Sequence, residues 1–258
     1  MELEKGLGLI YNIDKRRSHN GLPNPWLCKR RMKITIHRGT NQIGGCVTEI
    51  ESNGYKVFID FGEQLPGTKN DNNKLLQIDG LTCGDVSKSA LFITHYHGDH
   101  IGKICDTVSN LPIFAGKTAL EIYKCLEKRL SHIPEPTEAE KHKNIFNRLK
   151  TVNTFIPLQR IKVGEITITP LFIDHSAFDA YMFIIEADGK RVLHTGDFRG
   201  HGLKSKVFVP MLKKYAQRID YIISEGSNIE RPDAVLQTEQ EYGKTLKINS
   251  KKINLILL

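Results

Sequence analysis

With 258 residues, of which 40% are hydrophobic and 26% charged, the chain can bury one sizeable core or two small ones and has the make-up of a globular protein. No apolar run approaches the roughly 20 residues of a membrane span, and the N-terminus lacks the apolar centre of a signal peptide, so the expected setting is the cytoplasm, away from membranes. The formal charge of +8 favours a polyanionic partner such as nucleic acid, although residues 1–31, with seven Lys/Arg against three Asp/Glu, supply +4 of it. Five cysteines occur (Cys28, Cys46, Cys83, Cys105 and Cys125). Their odd number and the lack of a CxxC pair fit free thiols in a reducing compartment rather than a disulfide framework.

Residues 1–31 mix charged and apolar positions without a period and contain the turn-rich stretch Asn20 to Pro25. They read as a flexible basic extension. From Met32 the pattern changes. Lys33 to His37 alternates as a strand does, Cys46 to Ile50 is a second strand, and Tyr55 to Ile59 is a third. The Ser52-Asn53-Gly54 turn makes the last two a hairpin. Asp60-Phe61-Gly62 then leaves the sheet, and residues 63–88 read as an irregular surface segment. Ala90 to Ile93 is an apolar strand, and Thr94-His95-Tyr96-His97-Gly98-Asp99-His100 follows it directly.

A short helix is expected over Ile101–Val108 and a short strand over Pro112–Ala115. Longer helices are expected over Lys117–Leu130, where apolar residues recur near helical spacing, and over Thr137–Leu149, a charged helix with a solvated face. Strands return at Ile166–Thr169, Leu171–Ile173, Tyr181–Glu186, Arg191–His194 and Tyr221–Ile223. The second hairpin turns at Ala187 to Lys190. A weak internal echo links Gly54 to Asp60 with Gly189 to Asp197: each is a glycine turn, a strand and a following aspartate. Strands and helices in both halves point to two packed sheets covered by helices. The apolar end Ile253 to Leu258 either packs into a core or marks a fragment.

The chemistry concentrates after the Ala90–Ile93 strand, where four potential metal ligands, His95, His97, Asp99 and His100, fall within six residues. His95 and His97 alternate along one extended face and can address one ion, while Asp99 and His100 turn the corner and can address a second. Imidazoles and carboxylates suit Zn²⁺, with Mn²⁺ an alternative where carboxylates and water dominate. His175 and Asp197 each follow an apolar strand, where a rigid element can hold a ligand in place. Asp60 is placed to orient a histidine or a bound water from behind. His194 lies inside a strand and reads as structural. His132, His142 and His201 share no ligand spacing. Such a centre suits hydrolysis by a metal-activated water, with Asp99 and Asp60 as the catalytic carboxylates.

The run His95-Tyr96-His97-Gly98-Asp99-His100 resembles the HxHxDH hallmark of the metallo-β-lactamase fold superfamily. Asp60, His175 and Asp197 look like its other site motifs, so the resemblance covers most of residues 33–228. It implies an α/β fold, a four-layer αββα sandwich with two divalent metal ions at one edge of the sheets. It further implies that His95, His97 and His175 hold the first metal, that Asp99 and His100 hold the second, and that Asp197 lies between them. Arg38 to Cys46, Thr195 to Arg199 and Ser224 to Ser227 resemble the nucleic-acid-processing β-CASP branch, which includes ribonuclease J. That similarity implies a metallo-ribonuclease with RNA as partner.

In that branch an insertion domain and a late ligand histidine follow. Here residues 229–258 read as a linker and the start of such a domain, with Gln240-Glu241-Tyr242 at its beginning, and no histidine occurs after His201. The expected fold is therefore incomplete at its C-terminus, and nuclease activity of this polypeptide is expected to be weak or absent. Two readings compete: a hydrolase of a small thioester, lactone or β-lactam, and an inactive metal-binding fragment. Homo-oligomerisation is left open.

Overall fold

The computed structural model describes residues 10–12 (as backbone), 32–40, 42–65, 76–202 and 204–226. The expected turn at Asn20 to Pro25, the linker with Gln240 to Tyr242, and the apolar end Ile253 to Leu258 lie outside the described residues, as does Ser227.

Seven strands form the first sheet, in the order β1 (Ile10–Asn12), β2 (Lys33–Arg38), β3 (Val47–Ser52), β4 (Tyr55–Ile59), β5 (Ser89–Phe92), β6 (Ile113–Gly116) and β7 (Asn153–Phe155). Neighbours are antiparallel up to β4 and parallel from β4 to β7. The second sheet has β8 (Ile161–Val163), β9 (Ile166–Ile173), β10 (Ala180–Ala187), β11 (Lys190–His194) and β12 (Tyr221–Ile223), with β12 on one edge and parallel to β11. Both hairpins turn on an Asx-Gly pair with positive φ, Asn53-Gly54 (51° and 77°) and Asp188-Gly189 (51° and 68°). Those values suit the type I′ turn, whose twist matches that of the flanking strands. The internal echo in the sequence is this repeated hairpin.

Period-two alternation sorts the side chains into layers. Val57, Ile59, Ala90 and Phe92 of the first sheet meet Ile166, Ile168, Tyr181, Phe183 and Ile185 of the second in one buried cluster between the sheets. The opposite face of the first sheet, with Phe58, Leu91 and Ile113, packs on α2 (Lys117–Leu130) and α3 (Pro136–Leu149) through Leu120, Tyr123, Ile145 and Leu149. The opposite face of the second sheet, with Leu171, Ile173, Met182 and Ile184, packs on Phe208, Met211 and Leu212 of α4 (Ser205–Tyr215). The result is the expected αββα sandwich. No helix of the described residues is long and apolar enough to cross a membrane.

Several local expectations are corrected. The extension 1–31 contributes β1, hydrogen-bonded antiparallel to β2. Instead of a helix over Ile101–Val108, a four-residue helix α1 (Gly98–Ile101) begins inside the histidine motif, and a 3₁₀ turn follows at Ile104–Asp106. The strands β7 and β8, three residues each, are too short to show a period. Helix α4 was hidden by Pro210, which sits inside it.

One contact joins the two halves next to the site. Gly116, at the N-terminus of α2, has no side chain with which to cap the helix. Asp179, from the loop between β9 and β10, supplies the acceptor instead. Its Oδ2 takes the Ala119 N–H at 2.8 Å and its Oδ1 takes the Tyr181 hydroxyl at 2.6 Å. Replacing Asp179 by Ala removes the cap and leaves the buried Tyr181 hydroxyl without that acceptor. We expect D179A to lower stability by about 1–2 kcal/mol in urea denaturation, with Asp179→Asn in between. An unchanged midpoint for D179A would show that this link carries no weight.

Candidate metal centre

The potential ligands come from the C-terminal ends of strands in both sheets. Asp60 follows β4, Thr94 to His100 follow β5, Asp174-His175 follow β9, and Asp197 follows β11. Helix α1 is far too short to persist alone. Its carbonyls are taken up by neighbouring loops. Gly45 N–H donates to Asp99 O (3.0 Å), Phe61 N–H to His100 O (2.8 Å), and Glu63 N–H to Gly98 O (2.9 Å). This approach requires glycine at 62, where a Cβ would lie 1.7 Å from Asp99 O. Arg38 joins the same two loops by donating to Gly45 O and Gly62 O, each at 2.6 Å.

Two clusters of ligand atoms result, each with all its atoms within 4.8 Å of one another: His95, His97 and His175, and His95, His100 and Asp197. In the first, His97 Nδ1 faces His95 Nε2 at 3.0 Å and His175 Nε2 at 3.3 Å. In the second, His100 Nε2 lies 3.4 Å from Asp197 Oδ2. Asp99 Oδ2 stands 3.7 Å from His100 Nε2, with Asp99 Cβ set under Gly44. His95 lies close enough to both groups to be counted in each, and Asp99 borders the second.

Asp60 is not a catalytic group. Its side chain is fully buried, and both carboxylate oxygens are engaged. Oδ1 accepts the Thr94 N–H at 2.7 Å, while Oδ2 accepts the Thr94 hydroxyl and His100 Nδ1, each at 2.8 Å. Asp60 acts through these two residues and is a positioning residue. Since Thr94 Oγ1 gives its hydrogen to Asp60, it accepts from His95 Nδ1 at 3.0 Å. Both histidines therefore hold a hydrogen on Nδ1 and present Nε2 to the cluster. Thr94 and Arg38 were not foreseen as part of the site. The only sequence sign of the threonine was its place between a buried strand and the first ligand. Glu225, inside the Ser224 to Ser227 motif, accepts from the Phe198 N–H at 3.0 Å and so holds the segment after Asp197.

The electrostatics suit a cation. Burial, then the neighbouring imidazoles, hold His95 well below the ordinary histidine value, and burial also lowers His97 and His175. These rings are neutral near pH 7, as ligands must be. For His100 burial also opposes charge, but Asp60 and Asp197 override it and raise the ring well above the ordinary value. Asp197 is held low, the pull of His100 and the other rings outweighing its burial. His97 Nδ1 has the other two ring nitrogens within 3.0 and 3.3 Å, and His95 presents a bare Nε2 because its Nδ1 hydrogen goes to Thr94. Beside them, His100 and Asp197 add nitrogen and carboxylate donors. This donor set fits divalent cations.

A family model described as beta-lactamase superfamily domain matches residues 85–241. The chain belongs to this superfamily. Among curated relatives, ribonuclease J of Mycobacterium tuberculosis is 26% identical over 235 residues, covering 87% of this chain and 38% of its own. Ribonuclease J of Helicobacter pylori is 28% identical over 200 residues, covering 77% of this chain and 27% of its own. The chain thus spans well under half the length of these relatives. A solved structure of a protein of unknown function from Enterococcus faecalis V583 shares the fold, with a TM-score of 0.72 at 23% identity over 86% of this chain and 57% of that one. The superfamily fold and the two ligand clusters mark a candidate metal centre.

His194, as expected, is structural. It is buried, with Nδ1 accepting the Gly196 N–H at 3.2 Å and Nε2 3.3 Å from Thr48 Oγ1. Protonating Nδ1 would oppose two hydrogens, and burial pushes the ring down to about 4 from the ordinary 6.5. A depressed folded value means full stability above pH 6.5, lost as pH falls towards 4. In the metal-free chain this limb should amount to roughly 3 kcal/mol. His194→Asn keeps an acceptor for Gly196 and should flatten the limb when stability is measured in urea from pH 7 to pH 4. An unchanged slope would assign the acid sensitivity elsewhere.

Proposed function

We propose that this centre hydrolyses phosphodiester bonds of RNA. The convergence of His95 and His175 on His97 Nδ1, next to the His100–Asp197 pair, supports hydrolysis, and the similarity to ribonucleases J supports RNA as the substrate. His95, His97 and His175 would hold one cation, and His100 and Asp197, bordered by Asp99, a second. When bound, such ions supply Lewis-acid charge and activate water at neutral pH.

The chain's own residues do the rest. Asp60 and Thr94 keep Nε2 of both rings aimed inwards; His95 offers its lone pair there, and His100 would give up its Nε2 proton when a cation binds, without reorienting. Asp99, partly exposed beside His100, is the carboxylate placed to accept a proton from the attacking water at Oδ2. Arg38 and the glycine loop hold α1, and with it Asp99, against the mouth of the site.

The test uses the full chain supplied with Zn²⁺ or Mn²⁺ and a short single-stranded RNA at stoichiometric enzyme. We expect two metal equivalents by elemental analysis and slow, metal-dependent cleavage, with His97→Ala and Asp197→Ala at least about 100-fold slower. Hydrolysis of a lactone, thioester or β-lactam in place of RNA, or equal rates for the variants, would overturn the reading.

A further inference from the structure

The loop between β9 and β10 carries a side chain that the metal centre does not explain. Ala177 is fully buried and Asp179 nearly so, yet Phe178 between them is 54% exposed. The loop is fixed on both sides. The Phe178 N–H donates to the Tyr96 hydroxyl at 3.3 Å, within the histidine motif, and Asp179 caps α2. An aromatic ring is therefore presented to solvent by a rigid backbone, three residues from His175. The Lys204 ammonium lies 4.8 Å from the centre of this ring and 4.0 Å from that of Phe172.

Lys204 stands immediately before α4. From Phe198 to Ile219 the sequence has six Lys/Arg (Arg199, Lys204, Lys206, Lys213, Lys214 and Arg218) and no Asp or Glu. Phe208, Met211 and Leu212 turn α4 towards the sheet, and Lys206, Lys213 and Lys214 are on its exposed side. Lys206 and Lys213 are seven residues apart, two turns of one face, so their backbones are separated by about 10 Å along the helix axis. The exposed lysines of α4 are thus linked to Phe178 through Lys204, which stands at the helix start and lies over the ring.

We infer that this face is a track for single-stranded RNA, with Phe178 as the platform on which a base next to the scissile bond stacks and the α4 lysines as its phosphate contacts. The inference rests on the RNA-hydrolysing reading of the same site and adds where the strand lies. Alternating stacking and charge is the chemistry that single strands offer: every base has a π-face, and each phosphate a negative charge.

The experiment measures binding without turnover. The metal-loaded full chain is titrated with a labelled phosphorothioate RNA of about ten nucleotides over a range of salt concentrations. Phe178→Ala should weaken binding about tenfold, and Phe178→Trp should restore it, which loss of packing alone would not do. Lys206→Glu combined with Lys213→Glu should weaken binding further and reduce the slope of log affinity against log salt by about 1–2. Equal binding by wild type, F178A and the double lysine variant overturns the track, even if RNA is cleaved. So does a wild type that binds no RNA, or one whose lysine variants lose only anionic phosphatidylserine vesicles. Aromatic-dependent binding without cleavage of ordinary RNA upholds the track and rejects the hydrolytic reading instead.

Discussion

The centre depends on a carboxylate that never meets the solvent. Asp60 sits at the end of β4 with φ of +61°, a left-handed conformation that aspartate tolerates better than most residues. Burying its charge would be prohibitive alone, but three donors converge on it: the Thr94 N–H, the Thr94 hydroxyl and the His100 ring. Those bonds are directional, and the direction carries through. Because the Thr94 hydroxyl has given its hydrogen to Asp60, it can only accept from His95. One buried carboxylate therefore sets the tautomer of two histidines five residues apart, and both turn Nε2 to the same space. Without it, His95 and His100 could rotate, and the clusters would survive as composition but not as geometry.

That node works because the strands beneath it are rigid. Between the sheets, Phe92 stacks on Phe114 at 4.8 Å and meets Phe183 edge-on at 5.9 Å, while Phe155 meets Tyr181 edge-on at 4.9 Å. These rings fix the separation of β5 from β10, and β10 pairs with the strands that end in His175 and Asp197. Tyr181 N–H also donates to Thr94 O at 2.9 Å, a direct bond between the sheets at the level of the site. Ligands from distant parts of the chain are thus held by packing rather than by contacts among themselves. This suits a group of imidazoles that, without a cation, have little reason to gather.

Much of this was legible in the sequence, for identifiable reasons. Strands buried on both faces appear as unbroken apolar runs, and Ala90 to Ile93 announced both the sheet and the motif that leaves it. The two hairpins were visible because only Asx-Gly pairs suit their turns. Other features left no local trace. Helix α1 exists because loops at 45 and 61–63 donate to its carbonyls, contacts that span up to 54 positions and have no period. The role of Thr94 depends on a hydroxyl rotor set by a residue 34 positions earlier. Asp60 was correctly placed behind the site, but sequence could not show that both its oxygens are consumed there. Nor could it show that Asp99 would stand 3.7 Å from His100 Nε2, since that depends on where α1 is pinned beneath Gly44.

The two outer helical layers are unequal. Helices α2 and α3 bury whole side chains and are cross-linked by His142 and the buried Glu127 at 2.7 Å. Helix α4 buries no residue completely, contains a proline, and exposes Val207 and Val209 beside its lysines. A helix kept only to cover a sheet would carry acidic as well as basic residues on its outer side, because mixed charge favours solubility and i,i+4 pairing. Here like charges repel along one face, a small cost that an anion lying on that face would offset. The same stretch begins at Phe198, directly after Asp197, so the strand end that carries a candidate ligand runs on into the cationic segment, and a polyanion held on that segment would follow the chain towards the site.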